Sequence, residues 1–311
     1  MIYVLGHKNP DTDSTCSPIV VAWYLNNVRK QEAKAVLHGN PNKESLFILK
    51  HLNVESPEVI EKLPDEAKVF LVDSTNPEEL PLITENVEVI EVIDHHKLGG
   101  MSTSKPVNAT IRSYGCTATV LYEYMMNESP NLQLPAEIAG LLLSAIISDT
   151  LNLKGPTTTN KDREIVEKLI KISKIKEVNG YADHMFEAKS SIEGMSMKDI
   201  INTDAKEYEL GGKNSLVAVF ETVKPQFLIE KKDELIQAIK RVKNENNYGL
   251  IFFYVIDILN ETAYYFSIGS THEDNMIANG HKVKVIKDGI TIIEGVVSRK
   301  KQIVPVLEKI A

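Results

Sequence analysis

Three short apolar runs in this chain each stop on side chains that suit a ligand better than a core. Met1-Ile2-Tyr3-Val4-Leu5 leads into Gly6-His7-Lys8-Asn9-Pro10-Asp11-Thr12-Asp13-Ser14, Ala67 to Val72 stops at Asp73, and Val89 to Ile93 stops at Asp94-His95-His96. Short runs rich in β-branched and aliphatic residues, bounded by turn formers, read as buried strands. Pro18 to Lys30 reads as helix, so the first polar cluster occupies a strand-to-helix loop. In an open parallel sheet, loops diverge at the carboxyl edge where strand order reverses, and ligands bind there. The three clusters share a site only if their strands are parallel neighbours.

The donor types point to a cation. Imidazole nitrogen and carboxylate oxygen suit manganese, cobalt, zinc or, less well, magnesium, and the first cluster holds no thiolate. The segment also has an ordinary reading, in which Asn9-Pro10-Asp11 starts a turn and Asp13 or Ser14 caps the next helix. A lone Asp73 after a strand is open to the same reading. His95 and His96 are harder to explain that way, because adjacent side chains diverge, so one imidazole can hold a metal while the other faces a ligand. Ile138 to Ser148 is an apolar helical run, too short for a bilayer, that ends in Asp149. A negative charge there opposes the helix dipole by a few tenths to about 1 kcal/mol, which a nearby cation would offset.

With these motifs the chain resembles the family II inorganic pyrophosphatases, the manganese- or cobalt-dependent branch of the DHH phosphoesterase superfamily, over nearly its whole length. The resemblance implies His7, Asp11 and Asp73 around one divalent ion, and Asp13, Asp73, His95 and Asp149 around a second, with Asp73 bridging. It places His96 toward substrate and gives Asp94 the task of orienting an imidazole. Near the C-terminus, Ser298-Arg299-Lys300-Lys301-Gln302 follows the apolar stretch Ile290 to Val297. A basic run alone is most often a solvated face. A guanidinium fork beside a mobile ammonium nevertheless suits a phosphate dianion, and the run matches the family's basic motif. The resemblance assigns substrate contact to Arg299 and Lys300, and Lys206 matches a third phosphate-binding cation.

The implied reaction is hydrolysis of diphosphate to two orthophosphates by a hydroxide held between the two metals, with further magnesium or manganese arriving with the substrate. His96 would bond or protonate the bridging oxygen. Exopolyphosphatase chemistry and other DHH phosphodiesterase activities are the alternatives, with a non-catalytic metal- or phosphate-binding regulator behind them. The nucleotide-binding relatives carry a Gly-Gly-Gly-His loop, where this chain offers only Asn279-Gly280-His281. One departure stands out: the family commonly continues its bridging Asp with His-Asn, and this chain reads Asp73-Ser74-Thr75-Asn76. The change spares the ligands and puts metal preference and rate in question. The span from Asp149 to Lys206 is too short for nucleotide-binding CBS domains.

Composition is consistent with this reading. At 311 residues the chain is long enough for two cores, and a net charge of -8 with pI near 5.6 argues against nucleic-acid binding. Cys16 and Cys116 are too few for a disulfide framework and read as small buried thiols. Met1 runs directly into the first motif without a signal core, so a soluble cytoplasmic protein with no membrane partner is expected. The expected fold is α/β: a doubly wound parallel-sheet DHH domain at 1–188, a hinge-like linker at 189–195, and a smaller mixed α/β substrate-binding domain at 196–311. The active site would lie in the interdomain cleft. In the second domain, strands are expected over 215–220, 249–255 and 262–268, with a helix over 225–244. The resemblance also suggests a homodimer through the first domain; the strand Glu88 to Ile93 reads equally well as its edge or as a buried central strand.

Overall fold

A computed structural model describes residues 1–80, 87–191 and 194–311 and divides into two compact units, Met1–Lys189 and Ser190–Ala311. Ile192 and Glu193 of the expected linker lie outside the described residues. The first unit runs β1 (Ile2–Leu5), α1 (Thr12–Tyr24), a π-helical turn (Leu25–Arg29), β2 (Ala33–Leu37), α2 (Lys43–His51), β3 (Glu58–Val59), β4 (Lys68–Val72), β5 (Glu88–Asp94) and β6 (Asn108–Ile111). Four helices complete it: α3 (Thr117–Glu128), α4 (Ala136–Asp149), α5 (Asn160–Ser173) and α6 (Val178–Lys189).

The six strands are parallel in the order β3-β2-β1-β4-β5-β6. Strand order reverses between β1 and β4, and the loops after those two strands carry His7 to Asp11 and Asp73, with Asp13 in the first turn of the helix that follows β1. The apolar runs that end in polar clusters are β1, β4 and β5, which lie side by side. Val4, Leu5, Val69, Leu71 and Val92 are fully buried on them, because helices cover a parallel sheet on both faces. β5 is interior, between β4 and β6, which excludes the edge reading of Glu88 to Ile93.

Helix α1 begins at Thr12, well before Pro18. Asp11 is its cap, its carboxylate accepting the Ser14 N–H at 3.0 Å, so the capping role expected at Asp13 or Ser14 falls to Asp11. Proline inside a helix removes a backbone donor and is a poor marker of where the helix starts. Here the cap sets the start, and the residues from Thr12 through Pro18 are all buried. Asp13 thereby moves from the loop into the first helical turn.

The second unit runs α7 (Met197–Asn202), β7 (Asp204–Leu210), β8 (Lys213–Thr222), α8 (Gln226–Glu230), α9 (Lys232–Glu245), β9 (Leu250–Asp257), β10 (Thr262–Phe266), α10 (Thr271–His281) and β11 (Ile290–Glu294). A π-helical turn (Arg299–Ile303) and α11 (Val304–Ile310) close the chain. Its five-stranded sheet has the order β11-β10-β9-β8-β7, parallel only between β8 and β9. Leu216, Ala218 and Phe220 pack with Leu235 and Ile239 of α9 on one face, and Val217 and Val219 with Ile277 and Leu307 on the other. Burial on both faces explains why Leu250 to Ile256 is an unbroken apolar run. The helix expected over 225–244 is two helices parted at Lys231. Asn279-Gly280-His281 forms the last turn of α10 and makes no glycine loop. Among the described residues no helix is long and apolar enough to cross a membrane.

Candidate metal centre

Asp73 is the hub of the first unit's polar cluster. It follows β4 with a φ of 62°, a left-handed conformation that is uncommon for a non-glycine residue and concentrates at functional sites. The carboxylate is 1% exposed and its two oxygens face opposite ways. Oδ2 lies 3.5 Å from His7 Nε2, and Oδ1 lies 3.6 Å from His95 Nε2. Ser14 Oγ donates to Oδ2 at 2.6 Å and Thr117 Oγ1 to Oδ1 at 3.0 Å. Gly6 makes the Ser14 contact available, since a Cβ there would sit 2.5 Å from Ser14 Oγ.

Both of those histidines are turned by their other nitrogen. His7 Nδ1 is 2.9 Å from the Lys8 carbonyl and His95 Nδ1 is 3.1 Å from the Tyr114 carbonyl. A backbone carbonyl fixes the proton on Nδ1 and leaves Nε2 as the ligand atom, an arrangement typical of metal-binding imidazoles. His96 differs: its Nδ1 meets Asp94 Oδ1 at 2.9 Å, and the side chain is half-exposed. Asp94 Oδ1 also accepts the His95 and His96 N–H groups at 2.7 and 3.0 Å. Asp94 therefore orients an imidazole, and that imidazole is His96.

Ligand atoms of His7, Asp11 and Asp73 lie within 4.8 Å of one another, as do those of Asp73, His95 and His96. Asp73 belongs to both groups. Asp13 and Asp149, expected beside Asp73 and His95, form a third such group with Cys116, and their charges still reach Asp73. Asp13 is fully buried and its oxygens are taken by nearby donors: Ser17 Oγ at 2.5 Å on Oδ1, and Cys116 Sγ at 3.0 Å with the Thr117 N–H at 2.6 Å on Oδ2. Cys116 and Thr117 sit at the start of α3, where a carboxylate complements the helix dipole. Cys116 is a buried thiol, as expected, but it also serves as a hydrogen-bond donor to the cluster.

Proton affinities follow from crowding acids together. Burial, then the charges of Asp13, Asp11 and Asp149, pushes the Asp73 carboxyl well above the usual carboxylate range, against the pull of the Ser14 hydroxyl. Burial, then Asp13 and Asp11, does the same to Asp149. Burial alone would lower His7, but Asp11 outweighs it and pushes the imidazole up to about 9. Burial would raise Asp11, which His7 and the Ser14 N–H instead hold at about 2. Asp94 raises His96, against burial. Two carboxyls, Asp73 and Asp149, that burial and neighbouring acids drive toward protonation, with oriented Nε2 atoms beside Asp73, fit divalent cations with nitrogen and oxygen preference.

The second unit presents the basic residues. Arg299 NH2 lies 2.7 Å from Asp204 Oδ1 and its NH1 donates to the Asp204 carbonyl at 2.5 Å. Asp204 and Lys206 are two residues apart on β7 and share a face, so Arg299 is anchored beside the strand position of Lys206. In the motif itself, Ser298 Oγ accepts the Lys301 N–H at 3.2 Å, and Gln302 Oε1 accepts the Val297 and Ser298 N–H groups at 2.9 and 3.0 Å. Serine and glutamine build the turn, which leaves the Arg299 and Lys300 side chains outside its hydrogen bonds, Lys300 exposed.

Comparison with known proteins agrees with this division. Residues 1–146 match the model for the DHH family, N-terminal domain, and residues 183–310 match that for the DHHA2 domain. A Methanocaldococcus jannaschii protein named manganese-dependent inorganic pyrophosphatase is 34% identical over 315 residues, covering 99% of both chains. The chain belongs to the family II inorganic pyrophosphatases. A Lactobacillus acidophilus member, to which the same name is given provisionally, is 37% identical over 306 residues, 98% of this chain and 97% of its own. A crystal structure from Methanococcus jannaschii, provisionally described as a family II inorganic pyrophosphatase, superposes with a TM-score of 0.71 at 34% identity, covering 100% of this chain and 99% of that one. Directly after Asp73, Ser74 is 2% exposed; its Oγ accepts the Asn76 N–H at 3.1 Å and donates to Glu79 Oε2 at 3.3 Å. Serine there closes the loop after Asp73 on itself.

Proposed function

We propose that this chain is a manganese-dependent inorganic pyrophosphatase that hydrolyses diphosphate to two orthophosphates. The observation that carries the reading is the Asp73 carboxylate, whose two oxygens face the Nε2 atoms of two differently rooted histidines, as a bridging ligand requires. His7, Asp11 and Asp73 would hold one manganese, and Asp73, His95, Asp13 and Asp149 the second. When bound, such ions supply Lewis-acid activation of a water nucleophile and neutralise substrate charge. Water adds to one phosphorus as the P–O–P bond breaks. His96, whose proton affinity Asp94 raises above the ordinary imidazole value, would present Nε2 as the donor to the departing bridge oxygen. Lys206, Arg299 and Lys300 offset the charge of the phosphoryl groups. A cytoplasmic setting and a homodimer belong to the same proposal; light scattering tests the latter.

Phosphate release from diphosphate, tripolyphosphate and a dinucleotide, with manganese, cobalt or magnesium supplied separately, tests the assignment. Diphosphate-selective turnover with manganese is expected. Preference for tripolyphosphate overturns it in favour of an exopolyphosphatase, and inactivity on all three in favour of a regulator.

A further inference from the structure

Glu44 stands in the first turn of α2, directly after the residue that follows the Asn42 cap. An acid in that position is ordinarily a solvated complement to the helix dipole. This one is 0% exposed. Its Oε2 accepts Thr12 Oγ1 at 2.7 Å and Ser148 Oγ at 2.8 Å, with Lys189 Nζ 3.8 Å away. Oε1 is buried without a hydrogen-bond partner among the described residues. Both hydroxyl donors have telling neighbours: Thr12 sits between Asp11 and Asp13, and Ser148 immediately precedes Asp149.

One buried carboxylate thus ties the first turn of α1 to the last turn of α4, and those two turns carry three of the centre's acidic groups. Their mutual repulsion works to separate the two backbone segments, and no backbone ladder joins them. A further acid buried here adds to that repulsion, so packing alone does not explain its presence. Its bonds to the two hydroxyls do, with the Lys189 ammonium beside it as the compensating charge. We propose that Glu44 is a positioning residue for the metal-binding carboxylates, its bridge from Thr12 to Ser148 setting the distance between the Asp11–Asp13 turn and Asp149. The inference rests on the assignment of those three acids as manganese ligands. Groups that hold ligands in place typically change metal affinity by roughly 10–100-fold when removed.

The test is titration of the chelator-stripped, full-length chain with manganese, reading free aqueous Mn²⁺ by electron paramagnetic resonance, with melting curves to verify folding. E44A should bind manganese at least roughly tenfold more weakly than wild type. E44Q, whose amide oxygen still accepts both hydroxyls, should recover most of that loss, which a purely electrostatic role would not allow. An E44A affinity within about twofold of wild type, or E44Q as weak as E44A, overturns the proposal. If E44A does not fold, the T12V/S148A double variant removes the same two bonds, and wild-type affinity there overturns it equally. D149A runs alongside and should lose manganese. Retention in D149A would instead overturn the ligand assignment, so the two failures are distinguishable.

Discussion

Stripping the metal should make the stability of the first unit fall as pH rises from 6 to 9, the reverse of what manganese does. In the metal-free fold His7 is raised from 6.5 to about 9, so the folded chain holds a proton that the unfolded chain has released. Stability changes with pH as the difference in bound protons, and here the folded state binds more. The His7 contribution is fully present below pH 6.5 and is lost as pH rises through about 9. At 1.36 kcal/mol per unit this is worth about 3 kcal/mol, with His7 only 19% exposed. Raised Asp73 and Asp149 act in the same direction. Lowered Asp11 acts only near pH 2 to 4, outside the window. For a unit of this size the His7 part corresponds to a fall of roughly 6–12 °C in melting temperature. Manganese requires neutral His7, so its stabilisation should grow over the same range. Scanning calorimetry of chelated and manganese-loaded protein at half-unit steps measures both slopes. A chelated protein whose melting temperature is flat or rises across the window would refute the reasoning, as would an H7Q variant that keeps the wild-type slope.

Three other outcomes are expected. D94N removes the charge that raises His96, so turnover should fall roughly 10–100-fold and the alkaline limb of the kcat profile should move to lower pH, with manganese affinity unchanged; an unmoved limb counts against His96 as proton donor. G99A places a Cβ 2.4 Å from Asn76 Cα, forcing apart the loops after β4 and β5, and should cost about 1–3 kcal/mol in chemical denaturation along with activity. R299A and K300A should each lower kcat/KM for diphosphate by on the order of 10²-fold while manganese titrations match wild type, and weakened manganese binding would contradict a substrate-side role.

Much of the architecture was legible because it depends on local pattern. Apolar runs that stop at polar residues gave β1, β4 and β5, and alternation of element types gave the doubly wound sheet. Helix α1 was misplaced at its start because Pro18 draws attention, whereas an Asp11 side chain reaching the Ser14 N–H decides the boundary. Residues that hold the centre without touching it were largely illegible. Ser14 resembled a cap and Cys116 a core thiol, Glu44 carried no distinguishing signal, and each acquires its role from a partner 59, 103 or 104 positions away. The available signals were faint: hydroxyls beside acidic motif residues, and Gly115-Cys116-Thr117 just before an apolar helix.

The sequence by itself determined which donors exist and on which strand ends they stand, since burial and turn chemistry are written in nearest neighbours. Tertiary structure alone decided that β1, β4 and β5 lie side by side, which brings His7, Asp73 and His95 within reach. It also decided which nitrogen of each histidine faces the cluster, because a backbone carbonyl claims Nδ1 of His7 and His95 and a carboxylate claims that of His96. Ligand type is a property of a residue. Ligand geometry is a property of the hydrogen bonds that distant residues make to it.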